Sequence, residues 1–427
     1  MTGFLIAILL TSLVAATYGF GIYLFSQLVP DMRDDLGFAY GLVGTITAAG
    51  QIGFLAFAMG AAWLAPKIGG AQVVIGSVML CAISLLLLPM TKSVPVMGLL
   101  LVVMSGTAAS VWVPMVEIVA RTISYRHRGK VLGLASSGTS YGVFINSLLV
   151  PAFVLNGNWR GVWYAVGAGA LAVCAIALFA FWWLGLFQRR PNDTKAVREA
   201  AADPRRSGVF ADLREVAAPW VLIVWFITFM NGFSTLPFQN YLAPYLREEL
   251  GFDVNLAAQV WGTIGLVGMF AGFVVGWLSD RTGVRLALLV CYVSIFLSCV
   301  ILVAVPTGYL PLAAGTLFAL AFYPIFGLVP AYVAKRTGGR QTTVIFGVAN
   351  VTLGIGGMIG NYMGGIIADL TGSFVWIYVA VAASMVVLML VSLRLPPEVK
   401  NILAGETGAH CRTPNSALPA RHESACR

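Results

Sequence analysis

Charged residues that could do chemistry are few in this sequence, and one pair of them lies inside a long apolar stretch. Glu117 and Arg121 are four residues apart, in the order that favours an ion pair on one face of a helix. An acid within a membrane helix is a functional candidate, and protonation of Glu117 would let the chain respond to a proton gradient. The alternative is a structural clamp in which Glu117 pairs with Arg121 or with Arg128.

Neutral polar and aromatic residues form the second candidate group, because the middles of the apolar stretches contain no Lys, Arg, His, Asp or Glu. A site for a compact multivalent anion normally places a cation in the cavity, so phosphate esters and dicarboxylates are disfavoured. Buried amides and hydroxyls need partners, which either a solute or a neighbouring helix could supply. The predicted cavity residues are Thr17, Tyr18, Tyr23, Gln51, Trp112, Tyr141, Asn146, Asn231, Trp261, Tyr323, Asn350 and Asn361.

The six cysteines do not suggest a disulfide framework, since four lie in apolar stretches and no Cys-x-x-Cys pair occurs. Residues 396–427 contain two cysteines and two histidines whose spacing could bind a metal: His410, Cys411, His422 and Cys426. Their Pro- and Ser-containing context favours a disordered tail instead. We therefore predict no metal site and no cofactor.

The composition determines what kind of elements position these residues. The chain has 427 residues, 59% of them hydrophobic and 10% charged, and its mean hydropathy is +0.88. A membrane-spanning helix needs about 20 apolar residues, and such stretches recur along almost the whole chain. We predict an all-α polytopic membrane protein with twelve spans, starting near residues 4, 41, 71, 95, 131, 160, 218, 257, 285, 309, 343 and 373. The first is expected to be a retained span, not a signal peptide.

The charge distribution predicts the orientation and the domain boundaries. Alternating the loops between two faces places four of the 26 Lys and Arg residues on one face and the rest on the other. The positive-inside rule then puts both termini on the cytoplasmic side. The predicted domains are an N-terminal six-helix half (1–187), a cytoplasmic linker (188–216), a C-terminal six-helix half (217–395) and the tail (396–427).

An internal repeat with a constant offset in residue number relates the two halves. Residues 28–37 (LVPDMRDDLG) align with residues 242–251 (LAPYLREELG), and residues 62–70 (AWLAPKIGG) align with the stretch that begins GWLSDRTG at Gly276. Because the offset covers six spans, the halves have the same membrane orientation and are parallel repeats.

The polar loop in the second half resembles the Gly-x-Leu-x-Asp-Arg-x-Gly-x-Arg signature of the major facilitator superfamily, through Gly276, Asp280, Arg281, Gly283 and Arg285. The similarity covers residues 1 to 395 and is supported by Glu117 with Arg128-Gly129, by Trp159-Arg160 and by Gly365 to Gly372. A weaker similarity, in residues 18–26 and 369–372, is to the monocarboxylate and small organic anion branches. In the first-half copy, Pro66 occupies the Asp position.

The resemblance implies that this loop is a conformational switch in which Asp280 contacts the start of the fifth span, near Arg128, when the cytoplasmic side is closed. The switch set also includes Glu117 and Arg121. A simpler interpretation is a turn that fixes topology, with Gly283 supplying a positive φ. Asp369, near the outer end of the eleventh span, is interpreted as a loop cap.

The functional expectation is a secondary transporter that moves a small organic solute, such as a monocarboxylate-like metabolite, by alternating access with proton coupling. It is expected to be a monomer of the inner membrane and not an enzyme, and to bind no nucleic acid. One alternative is export of amphipathic drugs or metabolites. A second, of another class, is a transporter-like membrane sensor or scaffold.

Overall fold

The computed structural model describes residues 2–124, 127–188, 216, 218–337 and 339–396. Within these residues, 12 helices are long and apolar enough to cross a membrane, which confirms the predicted number of spans. Numbered α1–α12, they are Gly3–Leu36, Tyr40–Ile68, Gly70–Met90, Val94–Thr122, Arg128–Val154, Trp159–Trp183, Pro219–Asn240, Val254–Thr282, Val284–Ala304, Leu310–Arg336, Gln341–Thr371 and Val375–Ser392.

The helices satisfy their own backbone hydrogen bonds, as a chain in hydrocarbon must. Helices α1–α6 form one half and α7–α12 form the other. One end of the bundle, here called the acidic end, contains the last turns of α1 and α11 and the segment after α7, with Asp34, Asp369 and Glu249. The other, here called the basic end, contains the start of α5 and the last turn of α8, with Arg128 and Arg281.

The internal repeat is visible in the backbone at the basic end. Gly69 ends α2 with φ of 109°, and its repeat counterpart Gly283 ends α8 with φ of 90°. Each donates its N–H to the carbonyl four residues earlier, at 2.8 Å, and its positive φ permits the sharp turn into the next helix. Lys67 lies over the Trp63 ring, and Arg281 lies over the Trp277 ring in the same way. The two loops therefore share one fold even though Pro66 replaces the acid.

Helix α1 contains a π-helical segment, Ala15–Tyr23, near its middle. At this level Gly19 of α1 and Gly142 of α5 approach so closely that a Cβ on either would overlap the other backbone. The Asn146 amide donates to the Gly19 carbonyl at 2.8 Å. Since π segments are frequent at functional sites, this part of α1 is a candidate for contact with a ligand.

The predicted domain boundaries are only partly within the described residues. The predicted linker lies outside them except for Gln188 and Val216, and the predicted tail lies outside them except for Pro396. The four possible metal ligands in the tail are outside them as well. Among the described residues, no group of three or more His, Cys, Asp or Glu could hold a metal ion. The four described cysteines are free and buried.

Candidate functional site: two gated ends and an interior polar group

At the acidic end, a buried ion pair joins the two halves. Both terminal nitrogens of Arg247, after α7, donate to the carboxylate of Asp31 on α1, at 2.6 and 2.8 Å. The two side chains are only 16% and 13% exposed. Burial by itself lowers the pKa of Arg247, but the hydrogen bonds and charge of Asp31, together with the charges of Asp34 and Glu248, raise it above its ordinary value. A bidentate pair of this kind fixes orientation as well as distance.

Two further contacts close the same end. Arg33 pairs with Glu248 across the halves at 3.3 Å. Ser26 donates to Asn240 at 2.7 Å, and these two residues are themselves repeat counterparts, 214 positions apart. A contact between counterparts places this point on the pseudo-twofold axis that relates the halves. Asn240 then donates to Asn361 of α11 at 2.9 Å, so the closed end is a connected polar network.

The helices of the two halves pack together from the acidic end to about the middle of the bundle. In the α2–α11 pair, a Cβ at Gly44 would lie 2.6 Å from the Asn361 carbonyl, and one at Gly354 would lie 3.1 Å from Leu55. In the α5–α8 pair, a Cβ at Gly265 would lie 2.6 Å from the backbone nitrogen of Phe144.

Toward the basic end the helices separate. Gly347 lies on the face of α11 that contacts α2 through Gly354, and Gly272 and Gly276 lie on the face of α8 that contacts α5 through Gly265. A Cβ at any of these three positions would meet no atom within 4 Å. The switch residue Gly276 therefore faces open space. The structure is closed at the acidic end and open at the basic end.

Five of the predicted cavity residues, here called the interior group, lie at the inner end of this opening and are partly or fully exposed: Tyr18, Tyr23, Gln51, Tyr323 and Asn350. Tyr23 of α1 is near enough to Tyr18, and to Tyr323 in the other half, to interact with both electrostatically. The Tyr323 ring lies against Gly268, with Ser140 beside it. Gln51 lies near Gly357 of α11.

Asn350 belongs to the interior because of its position on α11. It is one turn from Gly354, on the helix face that contacts α2 through Gly354 and Asn361. At the level of Asn350 the two helices have separated, and the side chain is exposed. Its amide donates to the Phe346 carbonyl at 2.9 Å.

Five other predicted cavity residues are fully buried among the helices and do not reach the opening: Thr17, Asn146, Asn231, Trp261 and Asn361. Thr17 donates to the carbonyl of Leu13 at 2.9 Å, and Asn231 donates to the Tyr292 hydroxyl at 3.3 Å. Four of these five retain a buried polar atom without a partner among the described residues: Asn146 Oδ1, Asn231 Oδ1, Trp261 Nε1 and Asn361 Nδ2. Such atoms are costly in hydrocarbon, which makes them the groups that a solute or a second conformation would satisfy.

The structure does not bring Tyr141 to the interior group. Tyr141 is 37% exposed and shares an outward stripe of α5 with Ile145 and Leu148, which are exposed at a level where the halves are in contact. That stripe faces lipid. Trp112 of α4 is half-buried and, like Tyr18, packs against the hydrophobic cluster of the N-terminal half.

At the basic end, the switch residue Asp280 makes no contact with the other half among the described residues. The side chain of Asp280 is 80% exposed, and it pairs with Lys335 of α10, in its own half, at 3.9 Å. Arg128 donates to the carbonyls of Ile123 and Ala120, and so caps the end of α4. Arg285 is partly buried at the start of α9. The predicted contact of Asp280 with the start of α5 is absent from this conformation because the basic end is open.

The ion pair predicted from the Glu117 and Arg121 spacing is present at 3.5 Å. Its position is the basic end of α4, where the Glu117 side chain is 47% exposed and close to Gly70 at the start of α3. Arg121 also donates to the carbonyl of Gln188 at 3.2 Å. The pair is thus a link between helices of one half, and Glu117 is accessible from the open end.

Sequence analysis did not predict these ion pairs between the halves. The repeat contains the missing signal, because Arg33 and Arg247 are counterparts, as are Asp34 and Glu248. A twofold arrangement of two such Arg-acid segments predicts crossed pairs between the halves. Arg247 pairs with Asp31, and Arg33 pairs with Glu248. This pairing depends on how α1 packs against the segment after α7.

Comparison with known proteins gives one family. The profile of the Major Facilitator Superfamily matches residues 11–360. The probable sulfoacetate transporter SauU of Cupriavidus necator is 24% identical over 379 residues, which cover 82% of this chain and 84% of the relative. Monocarboxylate transporter 12 of Homo sapiens is 22% identical over 336 residues, which cover 72% of this chain and 64% of that one.

Among solved structures, a bacterial homologue of the human lysosomal transporter Spinster, in an inward-facing and unoccupied conformation, has a similar fold. The TM-score is 0.72, with 16% identity, and the match covers 92% of this chain and 96% of that one. The twelve helices, the two parallel repeats and the profile match agree, and the chain belongs to the Major Facilitator Superfamily: it is a multi-pass membrane transporter and not an enzyme.

Proposed function

We propose that the protein moves a small, uncharged or weakly acidic organic solute by alternating access, through the interior group at the centre of the two halves. The observation that carries this proposal is the asymmetry between the ends. The halves are joined by the Arg247–Asp31 pair at the acidic end and are apart at Gly347 and Gly276. Such an arrangement is one of the two states that a rocking transporter needs.

The positive-inside rule assigns the basic end to the cytoplasm, and the structure then corresponds to an inward-open state. The second state requires the acidic end to open and the basic end to close. Asp280, exposed in this conformation, is the group we expect to contact the start of α5 near Arg128 in that second state. This would be the cytoplasmic latch that its loop signature suggests.

The chemistry of the interior group defines the solute class. It offers phenol hydroxyls from Tyr18, Tyr23 and Tyr323 and amides from Gln51 and Asn350. These groups hydrogen-bond a neutral or singly charged solute, but they cannot neutralise a dianion. A monocarboxylate that crosses together with a proton fits this site, and the relative named as a monocarboxylate transporter supports small monocarboxylates as the first compounds to test. Sulfoacetate, the compound named for the other relative, is a dianion and does not fit this site.

The test is uptake into proteoliposomes that contain the purified protein. Radiolabelled lactate, benzoate, a nucleoside and succinate are added separately, with and without a pH gradient that is acidic outside. We expect a monocarboxylate or neutral compound to accumulate and succinate to remain at the level of empty liposomes. Preferential transport of succinate would contradict the neutral site. Solute binding without movement in any condition would favour a sensor, and movement of amphipathic compounds alone would favour an exporter.

Proton coupling is proposed to involve Glu117, since its carboxyl group reaches the open end and has a cation four residues away. Glu117→Gln is expected to abolish the stimulation by a pH gradient but to preserve exchange of solute between equal pools. Arg121→Gln is the matched variant, because it removes the partner and leaves the titratable group. If Glu117→Gln retains full stimulation and loses only thermal stability, Glu117 is a structural clamp.

A further inference from the structure

The N-terminus of helix α2 is capped by a side chain from the other half of the protein. The backbone N–H groups of Tyr40 and Gly41, the first two residues of α2, donate to the two carboxylate oxygens of Asp369 at 3.0 and 2.7 Å. Asp369 lies near the end of α11. The first N–H groups of a helix have no partner within it and form the positive end of the helix dipole. The carboxylate therefore supplies both hydrogen bonds and opposite charge.

Helix α2 has no cap of its own. The residue before it, Ala39, has no side chain that can accept a hydrogen bond. Its repeat counterpart in the second half is Asp253, which accepts the N–H of Leu256 at 2.8 Å and caps α8 from within its own half. The counterpart of Asp369 is Leu155, which cannot cap a helix. The two halves thus cap equivalent helices in different ways, one internally and one across the interface.

Small residues make the cross-half cap possible. A Cβ at Gly41 would lie 2.5 Å from Asp369 Oδ2, and a Cβ at Gly365 would lie 2.7 Å from the Tyr40 carbonyl. The repeat counterparts of these glycines are Asn255 and Pro151. The close approach of a helix N-terminus to a carboxylate is therefore built into only one of the two interfaces.

We infer that Asp369 is a state-dependent N-cap, present when the acidic end is closed and lost when it opens. It is a positioning residue for the transport cycle and not a solute contact. When α11 moves away, the N–H groups of Tyr40 and Gly41 lose their acceptor, and Ala39 cannot replace it. An interaction shifts an equilibrium between two states only if its free energy differs between them. The cap by Asp369 is present in one state and lost in the other. The cap by Asp253 is the same in both states, because Asp253 moves together with the helix that it caps.

The inference rests on the alternating access proposed above, so its test must separate the two. Spin labels are placed at Met90 and Tyr309, which are 69% and 78% exposed at the acidic end in different halves, after replacement of the native cysteines. Electron–electron distance measurements in lipid nanodiscs then give the ratio of open to closed molecules. Asp369→Ala is expected to raise this ratio about threefold to tenfold, since the carboxylate is partly screened by solvent. Asp253→Ala, the matched control, is expected to lower thermal stability and leave the ratio unchanged.

A second variant separates loss of the cross-half cap from simple fraying of α2. Ala39→Asp in the Asp369→Ala background gives α2 a cap of its own in both states. We expect thermal stability to recover and the open-to-closed ratio to stay raised. Recovery of the ratio as well would show that Asp369 acts only on local helix stability, and the inference would be overturned.

The remaining outcomes distinguish this inference from the proposed function. If Asp369→Ala leaves the ratio unchanged while removal of the Arg247–Asp31 pair raises it, alternating access stands and the cap has no role in it. If no variant, including those of the ion pair, produces a population with a longer distance, then the proposal of alternating access itself fails, and this inference fails with it.

Discussion

Arg247 and Asp31 form a bidentate ion pair between the two halves, and they are among the least exposed charged side chains in the described part of the chain. Removal of one partner would leave the other charge buried and unpaired. Such a change costs more than the loss of a surface pair, and this cost applies only where the acidic end is closed. The pair is therefore the first place at which the equilibrium between the two states can be tested.

Arg247→Ala is expected to destabilise the closed acidic end by about 1–3 kcal/mol, and so to increase the fraction of molecules open at that end. The distance between labels at Met90 and Tyr309 measures this. Arg160→Ala is the matched control, because Arg160 pairs with Asp35 at 2.5 Å within one half. It should lower thermal stability and leave the distance unchanged. Equal effects of both variants would contradict a gating role for Arg247.

The same pair predicts the direction of one pH effect. Because the pKa of Arg247 is raised in the closed state, its contribution to closure is fully present below the ordinary pKa of arginine. This contribution is lost only as the pH rises through the pKa that Arg247 has in the closed state, which is higher than the ordinary one. Deprotonation of Arg247 therefore should not open the acidic end between pH 5 and pH 9, about the range used for transport. Opening across this range in the wild type that disappears in Arg247→Ala would contradict this prediction.

Gly44→Ala is expected to prevent full closure of the acidic end. The new Cβ would lie 2.6 Å from the Asn361 carbonyl, 2.9 Å from the Tyr241 hydroxyl and 3.2 Å from Gly365, so backbone would have to move. Overpacking of this kind costs about 1–3 kcal/mol. Gly60→Ala, on the same helix but facing open space, is the control and should transport normally. Solute uptake by both variants provides the measurement, and equal uptake would argue against a tight α2–α11 contact in the cycle.

Asp280→Asn is expected to weaken the state in which the basic end is closed, without loss of stability in the basic-end-open state, since its carboxylate is 80% exposed here. The readout is labelling of a cysteine introduced at Gly272, where the structure has open space. A membrane-impermeant maleimide applied from the basic side should label the variant faster than the parent. An unchanged labelling rate would leave the loop with only its role as a turn.

Tyr323→Phe should raise the KM for the transported solute about 5- to 100-fold, the effect expected when one hydrogen bond to a solute is lost. Tyr141→Phe removes the same hydroxyl from the outward stripe of α5 and should have no effect. A KM that changes in Tyr141→Phe and not in Tyr323→Phe would reverse our assignment of the interior group.

The sequence by itself determined the membrane class, the number of helices, the two parallel repeats and the family. These properties depend on long apolar stretches, on a constant offset between the repeats and on one short loop signature, and none of them requires knowledge of a distant contact. The Glu117–Arg121 pair was predictable for the same reason, because helix geometry brings residues four apart together whatever the rest of the fold does.

Only the tertiary structure decided which polar residues meet the opening and what holds the acidic end closed. Spacing along a helix cannot tell an interior face from a lipid face when both are apolar, and so Tyr141 and Tyr323 looked equivalent. Likewise, Ala39 gives no sign that α2 receives its cap from Asp369, which is far away along the chain. Contacts between the halves depend on the relative orientation of the two halves, and in a transporter this orientation changes from one state to the other.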